Sequence, residues 1–214
     1  MKLDDLMRYL LPHVPGAPDV TAKQALLLAT IDFCVNTHAW SVILDPMDIE
    51  ANMSEYDIEV EQGARVAAVK DVWMVGGRRL EPVTMDKLAT VLPDWQTIST
   101  SAPMFYTAPV DNETIQIYPK PSVDLPGALT IRVAYAPTLT ATSVPDSVVQ
   151  LYLENLLHGA RYRLMAMPEK SWSNEKLAAY HKTQFDDGVV SAKIDIAHDK
   201  VQGSIRVKPI RFGS

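Results

Sequence analysis

The stretch that decides the fold is DSVVQLYLENLLHGARYRLM, residues 146–165. Apolar residues recur in it at the spacing of one helical face, and further apolar residues widen that face. The first set is Val149, Leu153, Leu156, Leu157, Ala160 and Leu164, and the second is Val148, Leu151, Tyr152 and Met165. A helix that is apolar over so much of its circumference has neighbours on two or more sides. We therefore predict a central helix from Asp146 to about Met167, ended by Pro168.

The apolar surface of this helix is large enough to serve two partners. We expect the chain's own core to cover one part and a neighbouring subunit to cover the rest. Leu151 and Tyr152 are the candidate residues of this subunit interface.

Two helices are predicted before the central one. Residues 2–11, KLDDLMRYLL, form a short amphipathic helix that ends before a connection rich in proline. A second helix runs to about His38, and Asp19 or Thr21 is the expected cap.

One helix is predicted after the central one, capped by Ser171 or Ser173 and running to about His198. Its inward stripe is Leu177, His181, Phe185, Val189, Ala192 and Ile196. Gly188 lies inside this stripe, where glycine weakens a helix, so we expect a bend there.

Residues 41–142 change to the pattern of β-strands. Segments such as SVILD, ARVAAVKDVWMV and ALTIRVAYA alternate apolar and polar residues or are rich in valine and isoleucine. The stretch VWMV-GG-RRLEPV indicates a hairpin that turns at Gly76-Gly77, and Thr84 is the expected cap of a short helix. Six or seven strands with turns every ~8–12 residues indicate a small antiparallel sandwich or barrel.

The fold class is therefore α+β, with a helical core interrupted by a β-rich insertion. We expect residues 1–40 and 143–198 to form the helical core domain. Residues 41–142 form the insertion domain, and residues 199–214 form an extended C-terminal arm.

The arm alternates apolar and basic residues and holds four basic residues and one acidic residue. The members that carry this pattern are Ile205, Arg206, Val207, Lys208, Ile210, Arg211 and Phe212. An isolated strand of this kind adheres to other surfaces, so we favour docking on another chain by strand addition or in a groove. The alternatives are an arm that packs back on its own domain and an arm that stays disordered.

The net charge is −6, and most of it lies in residues 41–142, which hold seven basic and fourteen acidic residues. A protein that recognises a nucleic-acid sequence needs a basic face on a folded element, and no such element is predicted. This distribution argues against sequence-specific nucleic-acid binding.

We predict no catalytic, cofactor-binding or metal-binding residues. The five histidines show no HxxxH or HxH spacing, and the single cysteine, Cys34, sits in a helical pattern as a small buried residue. Asp186 and Asp187 are adjacent, but neighbours on a helix point about 100° apart. They fit a solvated face, so we expect no enzyme.

The first residues, MKLDDLMRYLLPHV, carry charges where a signal peptide needs an apolar run. The uncharged run at residues 24–31 is too short to cross a bilayer. We expect a protein that is made in the cytoplasm and does not enter a membrane.

Trp95, Phe105 and Tyr106 form an aromatic set with two interpretations. We favour the core of the β block, because large aromatic residues are mostly buried. The alternative is an exposed patch that contacts a partner.

Four stretches resemble the head–tail adaptor, or connector, proteins of tailed bacteriophages, in the group related to the gatekeeper or tail tubular protein A of short-tailed phages. They are VKDVWMVGGRRLEPVTMDKL, then Trp95 with SAPMFYTAPVDNETIQIYPKPS, then LTIRVAYAPTLTATSVPDSVVQLYLENLLHGARYRLM, and last SNEKLAAYHKTQFDDGVVSAKIDIA. Together they lie within residues 20–198. Such proteins often carry Gly-Pro before the aromatic pair, where this chain has Ala102-Pro103.

The resemblance implies a structural protein of the virion, made in the host cytoplasm and placed at the head–tail junction. It implies a ring of about twelve copies beneath the portal protein. The arm then reaches onto the portal, and the β domain, with Trp95, Phe105 and Tyr106, faces a downstream tail or nozzle protein. DNA passes through the lumen without readout of its sequence, and no membrane is involved.

Three alternatives stay open at this point. A tail-completion or neck protein one layer lower has the same parts. A receptor- or glycan-binding module is expected to expose a groove lined by Trp73, Trp95 or Tyr106. An enzyme that uses Asp186 or Asp187 needs a facing acid or histidine, which the sequence does not offer.

Overall fold

The computed structural model describes residues 1–109 and 113–197. The helices are α1 (Leu3–Leu10), α2 (Asp19–Thr37), α3 (Met85–Val91), α4 (Asp146–Met165) and α5 (Glu175–Ala197). The strands are β1 (Trp40–Ile43), β2 (Met47–Ile49), β3 (Glu55–Asp57), β4 (Ala64–Met74), β5 (Arg78–Arg79), β6 (Glu81–Pro82), β7 (Ser99–Thr100), β8 (Phe105–Thr107), β9 (Thr114–Tyr118), β10 (Lys120–Pro121) and β11 (Leu125–Pro137). The predicted arm lies outside the described residues.

The helical core is built around α4, which packs against α1, α2 and α5. The buried residues of α4 lie on several of its sides, as the breadth of its apolar surface predicts. They are Val148, Val149, Tyr152, Leu156, Leu157, Gly159, Ala160, Arg161, Leu164 and Met165. The prediction of a central helix with neighbours on more than one side is confirmed.

Two glycines allow the helices to approach closely. A Cβ atom at Gly159 would lie 2.8 Å from the Cβ of Ala29 in α2 and 2.8 Å from the ring of Phe185 in α5. A Cβ atom at Gly188 would lie 2.5 Å from the side chain of Asn155 in α4. Helix α5 runs unbroken through Gly188, so the predicted bend there was wrong. The glycine instead allows α5 to pass close to α4.

The irregular point of the helical core is in α4. Tyr152 has φ −131° and ψ 21°, outside the helical region, so α4 is kinked there. The ring of Tyr152 packs on Phe33 of α2 with 5.0 Å between ring centroids. The kink therefore joins two helical segments at a residue anchored in the core.

The larger sheet has the order β1-β11-β4-β5, and β2 also pairs with β11. Two register shifts interrupt the pairing of β11 with β4, between Arg132 and Val133 and between Ala134 and Tyr135. At the first shift Lys70 is the extra residue of a β-bulge, because Asp71 and Val69 pair with consecutive residues of β11. Bulges bend and twist a sheet, and this sheet curls into a half-barrel.

The smaller sheet has the order β3-β9-β8-β6, and β7 pairs with β10 separately. The hairpin predicted at Gly76-Gly77 is present, since β4 and β5 pair on either side of it. Thr84 caps α3, where its side chain accepts a hydrogen bond from the N–H of Lys87, as predicted. The short pairs β6–β8 and β7–β10 are parallel, which local alternation in the sequence does not reveal.

The predicted α+β fold class, helices with a largely antiparallel β block, is confirmed. Further details were wrong besides the bend expected at Gly188. Helix α2 begins directly after Pro18, and no side-chain hydrogen bond from Asp19 or Thr21 caps it. The start of α5 is capped by Asn174, whose side chain accepts from the N–H of Leu177, while the hydroxyl of Ser173 donates to the carbonyl of Met167. Leu177 is exposed and does not belong to the inward stripe of α5.

The two halves of the molecule are joined through shared residues. Trp40 packs against both the helical and the β clusters of buried side chains. Strand β11 runs from the β block to Ala136, which is buried among the helices. The division into a helical domain and an insertion domain stays a prediction.

Candidate interaction surfaces

Within residues 1–109 and 113–197, no three side chains of His, Cys, Asp or Glu converge as a metal site would require. Burial raises the pKa of the Cys34 thiol to about 12, so it is protonated and unreactive at neutral pH. Asp186 and Asp187 are exposed, and Asp186 accepts from the Lys182 ammonium at 2.6 Å.

One titratable cluster lies between α4 and α5. The Nδ1 atoms of His158 and His181 are 2.8 Å apart, so one ring donates to the other. Burial lowers the pKa of His181 to about 4, and the positive charges of His158, Arg161 and His13 add to this effect. Burial also lowers the pKa of His158, so both rings are neutral at pH 7. The pair acts as a polar contact that holds two core helices together.

The two candidate interface residues of α4 lie in different surroundings. Leu151 is 56% exposed and is available to a second subunit. Tyr152 is 9% exposed and packs on Phe33 inside its own chain. The structure thus separates two residues that the sequence placed together.

The aromatic set also divides. Tyr106 is buried in the main β cluster and is only 4% exposed. Trp95 and Phe105 are half-buried over a small cluster that includes Tyr118, whose ring meets Trp95 edge to face at 5.2 Å. These positions agree with the favoured interpretation, an aromatic set within the β block.

A basic hollow of about 610 Å³ lies where α2, the larger sheet and the end of α5 meet. The bulge in β4 brings Lys70 to this hollow, and its ammonium lies 3.1 Å from Nδ1 of His38. Burial and the charges of Lys70 and Lys193 lower the pKa of His38, so its ring is neutral and accepts this hydrogen bond. His38 ends α2 in the left-handed conformation, with φ 58°.

The charges of the basic hollow are unequal. Its cations are Lys70, Arg79, Arg132 and Lys193, and Asp71 is the single carboxylate among its lining residues. Asp71 forms ion pairs with both Arg79 and Arg132, the latter at 3.3 Å. Lys70 and Lys193 therefore leave the hollow with an excess of positive charge.

An acidic groove of about 580 Å³ lies beside the same sheet. Its carboxylates are Asp45, Asp57, Glu59 and Glu61, and no cation lines it. Its apolar wall is formed by Val42, Ile43, Leu44, Met47, Met53, Tyr56, Val60 and Tyr135. The Tyr135 hydroxyl donates to the Glu59 carbonyl at 2.9 Å, which fixes the acidic loop over the sheet.

Strand β1 separates the acidic groove from the basic side. It is the outermost strand of its sheet, and no described strand pairs with its outer edge. Ile43 is 61% exposed and lines both the acidic groove and a hollow shared with Ile196 of α5. An open strand edge beside an apolar groove is a surface that can accept an extended peptide.

Sequence reasoning found neither of these surfaces. The excess of acid in the β block was a signal. The four carboxylates of the groove, however, come from the β1–β2 connection, the end of β3 and the loop after it, and only the fold brings these segments together. The seven arm residues, Ile205, Arg206, Val207, Lys208, Ile210, Arg211 and Phe212, lie outside the described residues.

Comparison with known proteins gives one family. A family model described as SU10 adaptor protein matches residues 1–208. No curated protein matches the chain. Among the described helices, none combines the length and the apolar character that crossing a membrane requires.

Proposed function

The chain belongs to the SU10 adaptor protein family, and from this premise we propose that it forms the adaptor ring between the portal and the tail of a tailed phage. Membership in a phage adaptor family makes it a structural component of the virion. The match over residues 1–208 carries the proposal, because it spans the helical core, the β block and the first ten residues of the arm. A relation to the gatekeeper group stays a prediction.

The exposed apolar residues of the helical core support a ring subunit. Val190 and Ile194 are exposed on α5 and lie four residues apart, so they share one face. Leu151 is exposed on the neighbouring helix α4. In a ring, each subunit covers such side chains with the next subunit, by the same contact repeated around the axis.

The charge of the subunit supports passage of DNA through the ring. The net charge of −6 opposes binding of the subunit to phosphates, and phosphate contacts supply most of the sequence-independent affinity of proteins for DNA. We propose that DNA passes the lumen without readout of its sequence.

The two ends of the subunit have different proposed partners. The arm, with Ile205, Val207, Ile210 and Phe212 between cations, docks on the portal. The β block faces the downstream tail protein, on the side of Trp95 and Phe105.

Mixing the purified chain with portal rings of the same phage tests the proposal. We expect electron microscopy to reveal an added ring of density on the tail side of the portal. Its rotational symmetry gives the copy number. Binding to the tail protein without any binding to the portal would place the chain in the neck layer instead.

A truncated chain that ends at residue 199 tests the arm. We expect it to keep the circular dichroism spectrum of the full chain and to lose portal binding. Undiminished portal binding by the truncated chain would show that another surface forms the dock.

A further inference from the structure

We propose that the acidic groove is the seat of residues 204–212 of the same chain, and that residues 204–208 of this segment pair with the open edge of β1. The proposal uses the segment assigned above to portal docking, but it concerns the free subunit and does not depend on that assignment. Four features carry it: the strand edge, the charge, the pattern of the segment and the reach of the chain.

The strand edge sets the mode of binding. β1 has four residues, Trp40–Ile43, and pairs on its inner side with β11. Its outer side has no partner strand among the described residues. Residues 204–208 lack proline, so they can pair with this edge, and Pro209 cannot donate to a ladder. The five residues available for pairing are thus enough to cover the four residues of β1.

The charges of the groove and the segment are opposite. The groove presents four carboxylates and no cation. The segment brings Arg206, Lys208 and Arg211 and no acid. Attraction across a half-exposed groove favours this pairing, whereas the basic hollow on the other side of β1 repels the same segment.

The segment alternates apolar and basic residues, and this pattern matches the apolar wall and the carboxylates of the groove. Side chains of a strand point alternately to opposite sides, so Ile205 and Val207 share one side and Arg206 and Lys208 share the other. The apolar side meets the wall that contains Met47 and Met53, and the basic side meets the carboxylates. Beyond Pro209, Ile210 and Phe212 continue over the apolar wall.

The chain can reach this seat without a second copy. Helix α5 ends at Ala197, and Ile196 lines one hollow together with Ile43 of β1. The eight residues from there to Ile205 span up to about 26 Å when extended. A segment tethered so near its seat has a high effective concentration, which favours its own chain over a neighbour.

In the free subunit, binding in the acidic groove covers the apolar side chains of residues 204–212. The acidic groove and the portal then compete for the same residues. The segment leaves the groove when the portal binds it more tightly.

Limited digestion of the full chain with trypsin tests the seat, because Arg206 and Arg211 are cleavage sites inside the segment. The variant Glu59→Gln/Glu61→Gln removes two groove carboxylates and adds no cleavage site. We expect cleavage at these arginines to be about tenfold faster in the variant, since two weakened ion pairs raise the open population. Mass spectrometry follows the released fragments.

The matched control is Asp94→Asn/Asp187→Asn, which makes the same charge change at exposed positions outside the groove. Its cleavage rate should equal that of the wild type. Equal rates in all three proteins would overturn the proposal. Protection that disappears on dilution of the wild type would overturn the assignment to the same chain, because it would mean that a second copy supplies the segment. No portal is present, so the outcome is independent of portal binding.

Discussion

At the residue scale, the helical core depends on the absence of side chains at two positions. Gly159 and Gly188 lie where α4 meets α5. A Cβ atom at Gly159 would collide with Ala29 and Phe185, and a Cβ atom at Gly188 would displace the side chain of Asn155. Glycine in a helix costs up to about 1 kcal/mol relative to alanine. Close packing of Phe185 and Ala29 against Gly159 offsets this cost.

The substitution Gly159→Ala should lower the free energy of unfolding by about 1–2 kcal/mol, since overpacking outweighs the gain in helix propensity. Urea denaturation measures this change. The exposed α5 substitution Ser191→Ala serves as control and should change the stability by less than about 0.5 kcal/mol. A Gly159→Ala variant as stable as the wild type would contradict the close packing at this crossing.

The histidine pair makes stability depend on pH. The pKa of His181 is about 4 in the folded chain and near 6.5 in the unfolded chain. Between these values the unfolded state binds more protons, so acid stabilises it. The stability contributed by the neutral ring is present above pH 6.5 and is lost as the pH falls toward 4.

We expect the free energy of unfolding to fall by about 2–3 kcal/mol between pH 7 and 4.5 through His181. Urea denaturation at a series of pH values measures the slope. The variant His181→Gln, which cannot be protonated, should lose most of it. An unchanged slope in that variant would assign the effect to other groups.

At the element scale, the kink in α4 separates a core residue from a surface residue. Tyr152 departs from helical geometry and packs on Phe33, while Leu151 remains exposed. Because Leu151 makes no large core contact, its substitution separates assembly from folding.

The variant Leu151→Gln should keep the stability of the wild type within about 0.5 kcal/mol and should weaken ring assembly on the portal. Tyr152→Ala should instead destabilise the chain by about 3 kcal/mol, as loss of a buried aromatic ring does. Denaturation curves and electron microscopy of portal mixtures measure the two effects. Ring assembly by Leu151→Gln at wild-type strength would remove Leu151 from the interface.

At the scale of the whole molecule, the helices and the β block are coupled. Trp40 packs against both clusters of buried side chains. Its ring contacts the ring of Tyr135 in β11 edge to face, with 5.4 Å between the ring centroids. β11 continues from the half-barrel sheet into the helical core. Because both clusters contain residues of β11, unfolding of one cluster destabilises the other.

We therefore expect one cooperative unfolding transition. Far-UV circular dichroism reports the helices. In a Trp172→Phe variant, which removes the tryptophan that packs against the helical cluster, fluorescence reports Trp40, Trp73 and Trp95 in or beside the β block. Their urea curves should coincide. Two separated midpoints would mean that the insertion unfolds as an independent domain.

The sequence by itself determined the order of the helices, the central place of α4, the Gly76-Gly77 hairpin, the Thr84 cap and the α+β class. These features depend on periodicity and local turn chemistry, which act between residues close in the chain. The family resemblance likewise came from the layout of such segments, and the match over residues 1–208 places the chain in a phage adaptor family.

Only the tertiary structure decided which surfaces face a partner. The acidic groove joins Asp45, Glu59 and Tyr135, and the basic hollow joins His38, Lys70 and Lys193, from elements far apart in the chain. The exposure of Leu151 and the burial of Tyr152 depend on a kink that α4 adopts against its neighbours. Residues from distant parts of the chain come together through side-chain packing and through bulges in long-range strand pairs. No local pattern in the sequence encodes the packing or the bulges.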